Sequence, residues 1–250
     1  MTDRDFLKSN WEELSRSTTP QQKGDPRPPL QRSTRDQPVI DLPEVSPDDF
    51  EEVSLSKAVA ARRSVRSFTE EPLSLGELSY LLWATQGVSQ VVGEDMATIR
   101  TVPSAGARHP LETYVVVQNV QDLEGAVYRY LPLEHGLARI SDPPPAEAVS
   151  RACLGQDFVE RCSATFVWTA VPYRTEWRYG LASPKLIALD AGHVCQNLYL
   201  ACQEIGAGTC AIGAYDQESA DRLVEVDGRD ELVVYLAPVG KVDQGSTRTL

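Results

Sequence analysis

The stretch "KLIALDAGHVCQNLYLACQEIGAGTCAIGAYD", Lys185 to Asp216, decides the fold. Ile187, Ala191, Val194, Leu198, Ala201 and Ile205 recur at spacings of 4, 3, 4, 3 and 4, one apolar face of a long helix. Asp190, His193 and Asn197 form a polar stripe on another face, with His193 read as a helix-interface residue. Gly206 closes the helix, and a run of small residues with a short strand, "TCAIG", follows at once. A helix from Asp216 to Glu225 and a last strand, "ELVVYLAPVG", complete the chain's second half.

Outward from that stretch, helices and strands mix without regular alternation. "LSKAVAARRS" reads as a short helix ending in a basic cluster. "SLGELSYLLWATQG" opens with Ser74 and Glu77 three residues apart, a capping-box pair, and stops at Gly87. "ETYVVVQNV", the two halves of "AVYRYLPLEHGLARIS" and "ATFVWTAVP" read as strands, the last buried on both faces. The pattern predicts an α+β fold.

Before Leu55 the character changes. Residues 4–17 place Phe6, Leu7, Trp11 and Leu14 at helical spacing. "TTPQQKGDPRPPLQRSTRDQPVIDLP" then carries six prolines in 26 residues, which predicts a non-helical arm, either disordered or laid along a surface or a partner subunit. The expected division is an arm over 1–53 and a folded domain over 54–250.

The formal charge is −12, which argues against nucleic-acid and membrane-surface partners. The N-terminus has no signal-peptide core and no apolar run is long enough to span a bilayer, so a cytoplasmic protein is expected. Five cysteines without a CxxC spacing read as reduced, buried thiols, and three scattered histidines give no metal signature.

Against that acidic background, "ARRSVRSF" places Arg62, Arg63 and Arg66 around Ser64. Guanidinium forks and a hydroxyl suit phosphate oxygens; a solvated helix end is the other reading of the same residues. There is no P-loop, no GxGxxG after a strand and no GxSxG elbow. "RTVPSAGARHPLETYVVV", Arg100 to Val117, and "GAGTCAIGAYD", Gly206 to Asp216, each bring small-residue backbone to a strand. Such backbone lies close to a flat ring and offers N–H donors to its edge, or is an ordinary tight loop.

"RRSVRSF", "LLWATQGV", "RTVPSAGARHPLETYVVV", "LDAGHVCQNLYLACQEIGAGTCAIGAYD" and "LAPVGK" occur in the order seen in the nitroreductase-like flavoproteins. The chain resembles most the SagB-type dehydrogenase branch, over Leu55 to Lys241, about three-quarters of its length. The resemblance implies a mostly antiparallel central sheet flanked by helices, an interwoven homodimer and FMN held at its interface. It implies that Arg62, Arg63, Ser64 and Arg66 contact the phosphate, ribityl chain and pyrimidine edge. Pro103, Ser104, Ala105 and Gly106 match a loop reaching the flavin of the other subunit. Ala211, Ile212, Gly213 and Ala214 match the segment over the opposite ring face, with an N–H near Gly213 or Ala214 toward N5. Lys241 matches a basic residue near the phosphate, and Arg248 is a second candidate.

Two departures stand out. His109 occupies a position where relatives carry Tyr or Gln, and Ala107 one where they carry Asn. Arg178 and Tyr179, in "TEWRYG", align with a Lys-Tyr pair of azoline-oxidising members. An arginine stays charged where a lysine can act as a base. Tyr179, Arg178 and His109 are therefore the candidate catalytic residues. The implied activity is hydride transfer through flavin N5 on a small-molecule or peptide substrate. The alternatives are an NAD(P)H-dependent nitro or quinone reductase and a flavin-binding or assembly subunit of a biosynthetic complex without turnover.

Overall fold

The computed structural model describes residues 4, 7–8, 11–14, 16–34, 37–46, 49–50, 52–93 and 96–243. Its helices are α1 (Trp11–Leu14), α2 (Pro20–Lys23), α3 (Leu55–Ala61), α4 (Leu75–Gln86), α5 (Ala146–Ala152), α6 (Tyr173–Tyr179), α7 (Ser183–Glu204) and α8 (Gln217–Leu223). Its strands are β1 (Val39–Asp41), β2 (Val88–Val92), β3 (Ala97–Arg100), β4 (Leu111–Val117), β5 (Ala126–Leu131), β6 (Gly136–Ser141), β7 (Ala164–Ala170), β8 (Ala207–Thr209) and β9 (Leu232–Lys241).

Seven strands form one sheet in the order β1-β6-β5-β4-β7-β9-β8, and every adjacent pair is antiparallel. Every residue of β4 and β7 is buried, because both faces of the sheet are covered. Val115, Val117, Phe166 and Trp168 face α4 and α7, packing with Leu78, Leu82, Val194 and Leu198. Tyr114, Val116 and Val167 face the other way, toward Val149 and Ala152 of α5 and Leu223 of α8. The period of two along each strand thus feeds two separate cores. This is the mostly antiparallel α+β sheet flanked by helices that the sequence implied.

Several local readings shift. The expected N-terminal helix is described only at Trp11–Leu14. The proline-rich arm does contain a helical turn. Pro20 sits at its first position, where a missing N–H costs nothing, and Thr19 and Gln22 close a capping box around it. The arm is ordered on its own chain: β1 pairs with β6, and the Arg100 guanidinium donates to the Leu30 carbonyl at 3.2 Å. The strand expected at "TCAIG" lies earlier, at Ala207–Thr209, and Ile212 adds a single bridge to Leu236. The β2–β3 hairpin, α5 and α6 were not anticipated. β2 is mostly exposed, so no buried alternation marks it, and α6 is a short, charge-rich turn pair.

The Ser74 hydroxyl caps the Glu77 N–H at 3.1 Å, and Glu77 returns a bond to the Ser74 N–H at 2.8 Å. All five cysteines are free and buried. Among the described residues no helix is long and apolar enough to cross a membrane, and no group of side chains could hold a metal ion.

Candidate functional site

The basic segment leaves α3 at Arg62 and runs extended across the edge of the sheet. The Val65 N–H donates to the Thr209 carbonyl at 2.9 Å, and Ser64 bridges Thr209 in parallel. Gly208 and Gly240, paired across β8 and β9, make room for it. A Cβ on Gly208 would sit 2.8 Å from the Val65 Cβ, and one on Gly240 would sit 2.9 Å from the Phe68 ring.

Arg62 stacks its guanidinium 5.1 Å over the Tyr199 ring. Arg63 is exposed and donates to the carbonyls of Ala60 and Arg62. Arg66 is also exposed, and its charge partly offsets the burial that pushes up the Cys210 thiol. None of the three makes an ion pair with a carboxylate among the described residues. Lys241 differs: its ammonium is clamped by Glu77 and by the Ile205 carbonyl at 2.7 Å. Arg248 lies outside the described residues.

Tyr199 of α7 joins this segment to the second small-residue stretch. Its hydroxyl lies 3.0 Å from Ser64 Oγ and accepts the Ala211 N–H at 2.8 Å. Ile212 is buried and exchanges two backbone bonds with Leu236. Gly213 and Ala214 are exposed, and their N–H groups take no partner among the described residues. The sequence reading missed Tyr199. Its position nine residues beyond Asp190 is visible only once both loops have docked on the helix.

The Pro103–Gly106 loop is held at another point of the same helix. Ser104 Oγ donates to Asp190 Oδ2 at 2.6 Å, and the Ala105 N–H donates to Oδ1 at 3.3 Å. Burial raises the Asp190 carboxyl above the ordinary range, and these two bonds work against the shift. The His109 N–H donates back to Ser104 Oγ at 2.8 Å, closing the loop. Gly106 lies at φ 58°, and a Cβ there would sit 2.4 Å from the Tyr179 hydroxyl oxygen. Gly106→Ala is therefore expected to destabilise the protein by at least about 1–2 kcal/mol from the left-handed backbone alone. Thermal melts should show a smaller loss in a Tyr179→Phe background; equal losses would mean that the close contact is not what costs stability.

His109 is buried, 6 % exposed, with Nε2 3.2 Å from the Thr98 carbonyl. Burial first, then the neighbouring Arg100 charge, lowers its pKa from 6.5 to about 3. The ring is neutral at pH 7 and donates into β3, which orders the loop. A depressed histidine contributes stability that is complete above 6.5 and lost as pH falls toward about 3. Its share of the slope approaches about 1.4 kcal/mol per pH unit. His109→Gln, which keeps a donor for Thr98, is expected to flatten urea-melt stability between those pH values; an unchanged slope would assign the acid sensitivity elsewhere.

Arg178 is exposed and Tyr179 half-buried, their guanidinium and ring 5.7 Å apart, both against Gly106. The structure thus gathers the candidate residues into two groups. Arg62, Ser64 and Ala211 meet Tyr199, with Arg63, Arg66 and Ile212–Ala214 on the same two segments and Lys241 held apart by Glu77 and Ile205. Ser104 and Ala105 meet Asp190, with His109 closing their loop and Arg178 and Tyr179 against Gly106. Nine residues along α7 separate the two anchors by about 14 Å.

Residues 59–241 match the Nitroreductase family. A Methanocaldococcus jannaschii protein described as a nitroreductase is 35% identical over 201 residues, covering 80% of this chain and 98% of that one. The crystal structure of a nitroreductase from Ralstonia eutropha superimposes with a TM-score of 0.68 at 27% identity, covering 88% and 95% of the two chains. The trifolitoxin-processing protein TfxB of Rhizobium leguminosarum bv. trifolii is 29% identical over 185 residues, 70% of this chain but about half, 49%, of that protein. The family match and the superposition agree with the fold: the chain belongs to the nitroreductase family, a family of oxidoreductases.

Proposed function

We propose that the protein is an FMN-dependent oxidoreductase of SagB-type dehydrogenase character. The observation that carries the reading is the group around Tyr199. Arg62, Arg63 and Arg66, which make no ion pair among the described residues, join the Ser64 hydroxyl and the Gly213 and Ala214 N–H groups, which take no partner among the described residues, in an otherwise acidic protein. That donor set fits a phosphate, a polyol and the edge of a ring. FMN, when bound, supplies hydride exchange at N5.

The chain's own groups then divide the work. Arg62, Arg66 and Ser64 bind the phosphate and pyrimidine side, and Arg63 adds charge there. Lys241 stands near the phosphate in this reading, its ammonium held by Glu77 and the Ile205 carbonyl. Ala211, Ile212, Gly213 and Ala214 lie against the ring, with an N–H of Gly213 or Ala214 donated to its reactive edge. Pro103–Gly106 and Tyr179 are anchored about 14 Å away along α7, too far to serve the same ring easily. This separation supports a homodimer in which the loop of one protomer completes the site of the other. Residues 54–250 form the flavin-binding domain in this reading, and the arm over 1–53 straps it.

TfxB is named a processing protein, which supports a peptide or other biosynthetic substrate over a free nitro compound. Arg178 in place of lysine leaves Tyr179 as the one group of that pair able to move a proton. The test is an absorption spectrum of the purified protein, followed by anaerobic NADH and NADPH. A flavin band near about 450 nm is expected to accompany the protein. Bleaching by NADPH would favour the nitro or quinone reductase; protein that cannot be reconstituted with FMN would refute both enzyme readings and leave the non-catalytic assembly subunit.

A further inference from the structure

A second group of arginines lies outside the basic segment, around Trp177. The Arg108 guanidinium lies 5.5 Å and that of Arg27 5.9 Å from the Trp177 ring centroid. Arg178, on the next residue, lies over Tyr179. The ring is itself fixed, since Trp177 Nε1 donates to the Asp25 carbonyl at 2.9 Å. Three elements distant in sequence, the arm, the loop before β4 and α6, thus bring two cations to the Trp177 ring and a third to the neighbouring Tyr179 ring.

Arg108 is the unusual member. It is nine-tenths buried, 9% exposed. Its Nε and Nη2 donate to the carbonyls of Gly106 at 3.1 Å and Met96 at 3.2 Å, and Nη1 has no partner among the described residues. Neither Arg108 nor Arg178 makes an ion pair among the described residues. Burial, then the charges of Arg178 and Arg27, holds the Arg108 guanidinium below its ordinary value. Buried Arg174 has Glu112, and Arg32 has Glu231. Arg100 and Arg129 are also buried without an ion pair among the described residues, but Arg100 is closed by oxygens of Thr98, Gln86 and Leu30, and Arg129 donates to the Ser33 carbonyl. A buried cation beside like charges is costly unless an anion completes it.

We infer that Arg108 and Arg178, with Arg27 at the rim, form a seat for an oxyanion carried by the flavin's reaction partner, beside Gly106 and Tyr179. The seat presents guanidinium forks over an aromatic face, which suits a phosphate or a carboxylate on a planar or extended molecule. Two sources share that chemistry, the phosphate of a nicotinamide dinucleotide and a carboxylate of the substrate. That the occupant is the flavin's reaction partner rests on the function proposed above; the seat itself does not.

The test is calorimetric titration of the purified, flavin-loaded protein with inorganic pyrophosphate, adenosine 2′,5′-bisphosphate and succinate. Saturable binding of at least one probe is expected. It should weaken roughly tenfold or more in Arg178→Gln, whose side chain is exposed and whose loss leaves folding intact, and in Arg108→Gln. Preference for the bisphosphate assigns a dinucleotide, and preference for succinate assigns a carboxylate substrate. Absence of saturable binding by all three, or unchanged affinity in both variants, would overturn the seat. The visible spectrum of the same preparations separates the two ideas. Flavin present with no anion binding refutes only the seat; flavin absent with variant-sensitive binding refutes only the function.

Discussion

Replacing Glu112 by alanine is expected to lower the stability of the protein by about 3–5 kcal/mol. Glu112 and Arg174 are each 2% exposed and paired within the core. The same carboxylate oxygen accepts the Arg32 N–H of the arm at 3.0 Å. Arg174 also donates to the His109 carbonyl at 3.4 Å, so the pair ties the arm to the loop that α7 carries. Glu112→Ala leaves Arg174 as a buried charge without a counter-ion. For a chain of this length the melting temperature should fall by roughly 10 °C, read by calorimetry. Two comparisons give the test its edge. Glu124→Ala removes an exposed partner of Arg139 and should cost less than about 1 kcal/mol. Glu112→Leu combined with Arg174→Met should recover most of the loss, because removing both charges removes the desolvation problem. A Glu112→Ala melt indistinguishable from that of Glu124→Ala would show that the pair is not the strap's anchor.

The second large effect concerns flavin retention. Each charge-assisted hydrogen bond contributes about 1.5–3 kcal/mol, so loss of one guanidinium should weaken FMN binding roughly 10- to 100-fold. Arg62→Ala with Arg66→Ala should then yield protein that is folded but colourless after gel filtration. Folding should survive, since neither side chain makes an ion pair among the described residues and the Arg62–Tyr199 contact contributes about 0.5–1 kcal/mol. Arg63→Ala should cost less, because its guanidinium already bonds the Ala60 and Arg62 carbonyls. Full flavin occupancy in the double variant would refute the phosphate assignment.

What could be read beforehand follows from locality. The helix over Ser183–Glu204 and the Ser74–Glu77 box depend on residues within a turn or two of each other, so periodicity and spacing expose them. The helical turn at Pro20 was misread because proline count was weighed without position; at the first position of a helix proline is accommodated. The candidate site was legible as segments. The basic cluster and the two small-residue stretches stand out in the sequence, and the structure places them at loops against α7. Their assembly was not legible, since Tyr199 meets Ser64 across 135 residues and Ser104 meets Asp190 across 86.

His109 shows the limit for a single residue. Its type suggested a group facing substrate, and its ring is instead buried against β3. The arginines show the same limit in charge. Composition counts them as part of an excess of acid, −12 overall, whereas the fold sorts them. Arg174 and Arg32 are paired with carboxylates, and among the described residues Arg62, Arg66, Arg108 and Arg178 have none. The sequence by itself determined the elements, the fold class and the small-residue loops, because these are set by local periodicity, capping and backbone sterics. Only the tertiary structure decided which charges are paired and which remain open to an anion, because that depends on register between segments a hundred residues apart.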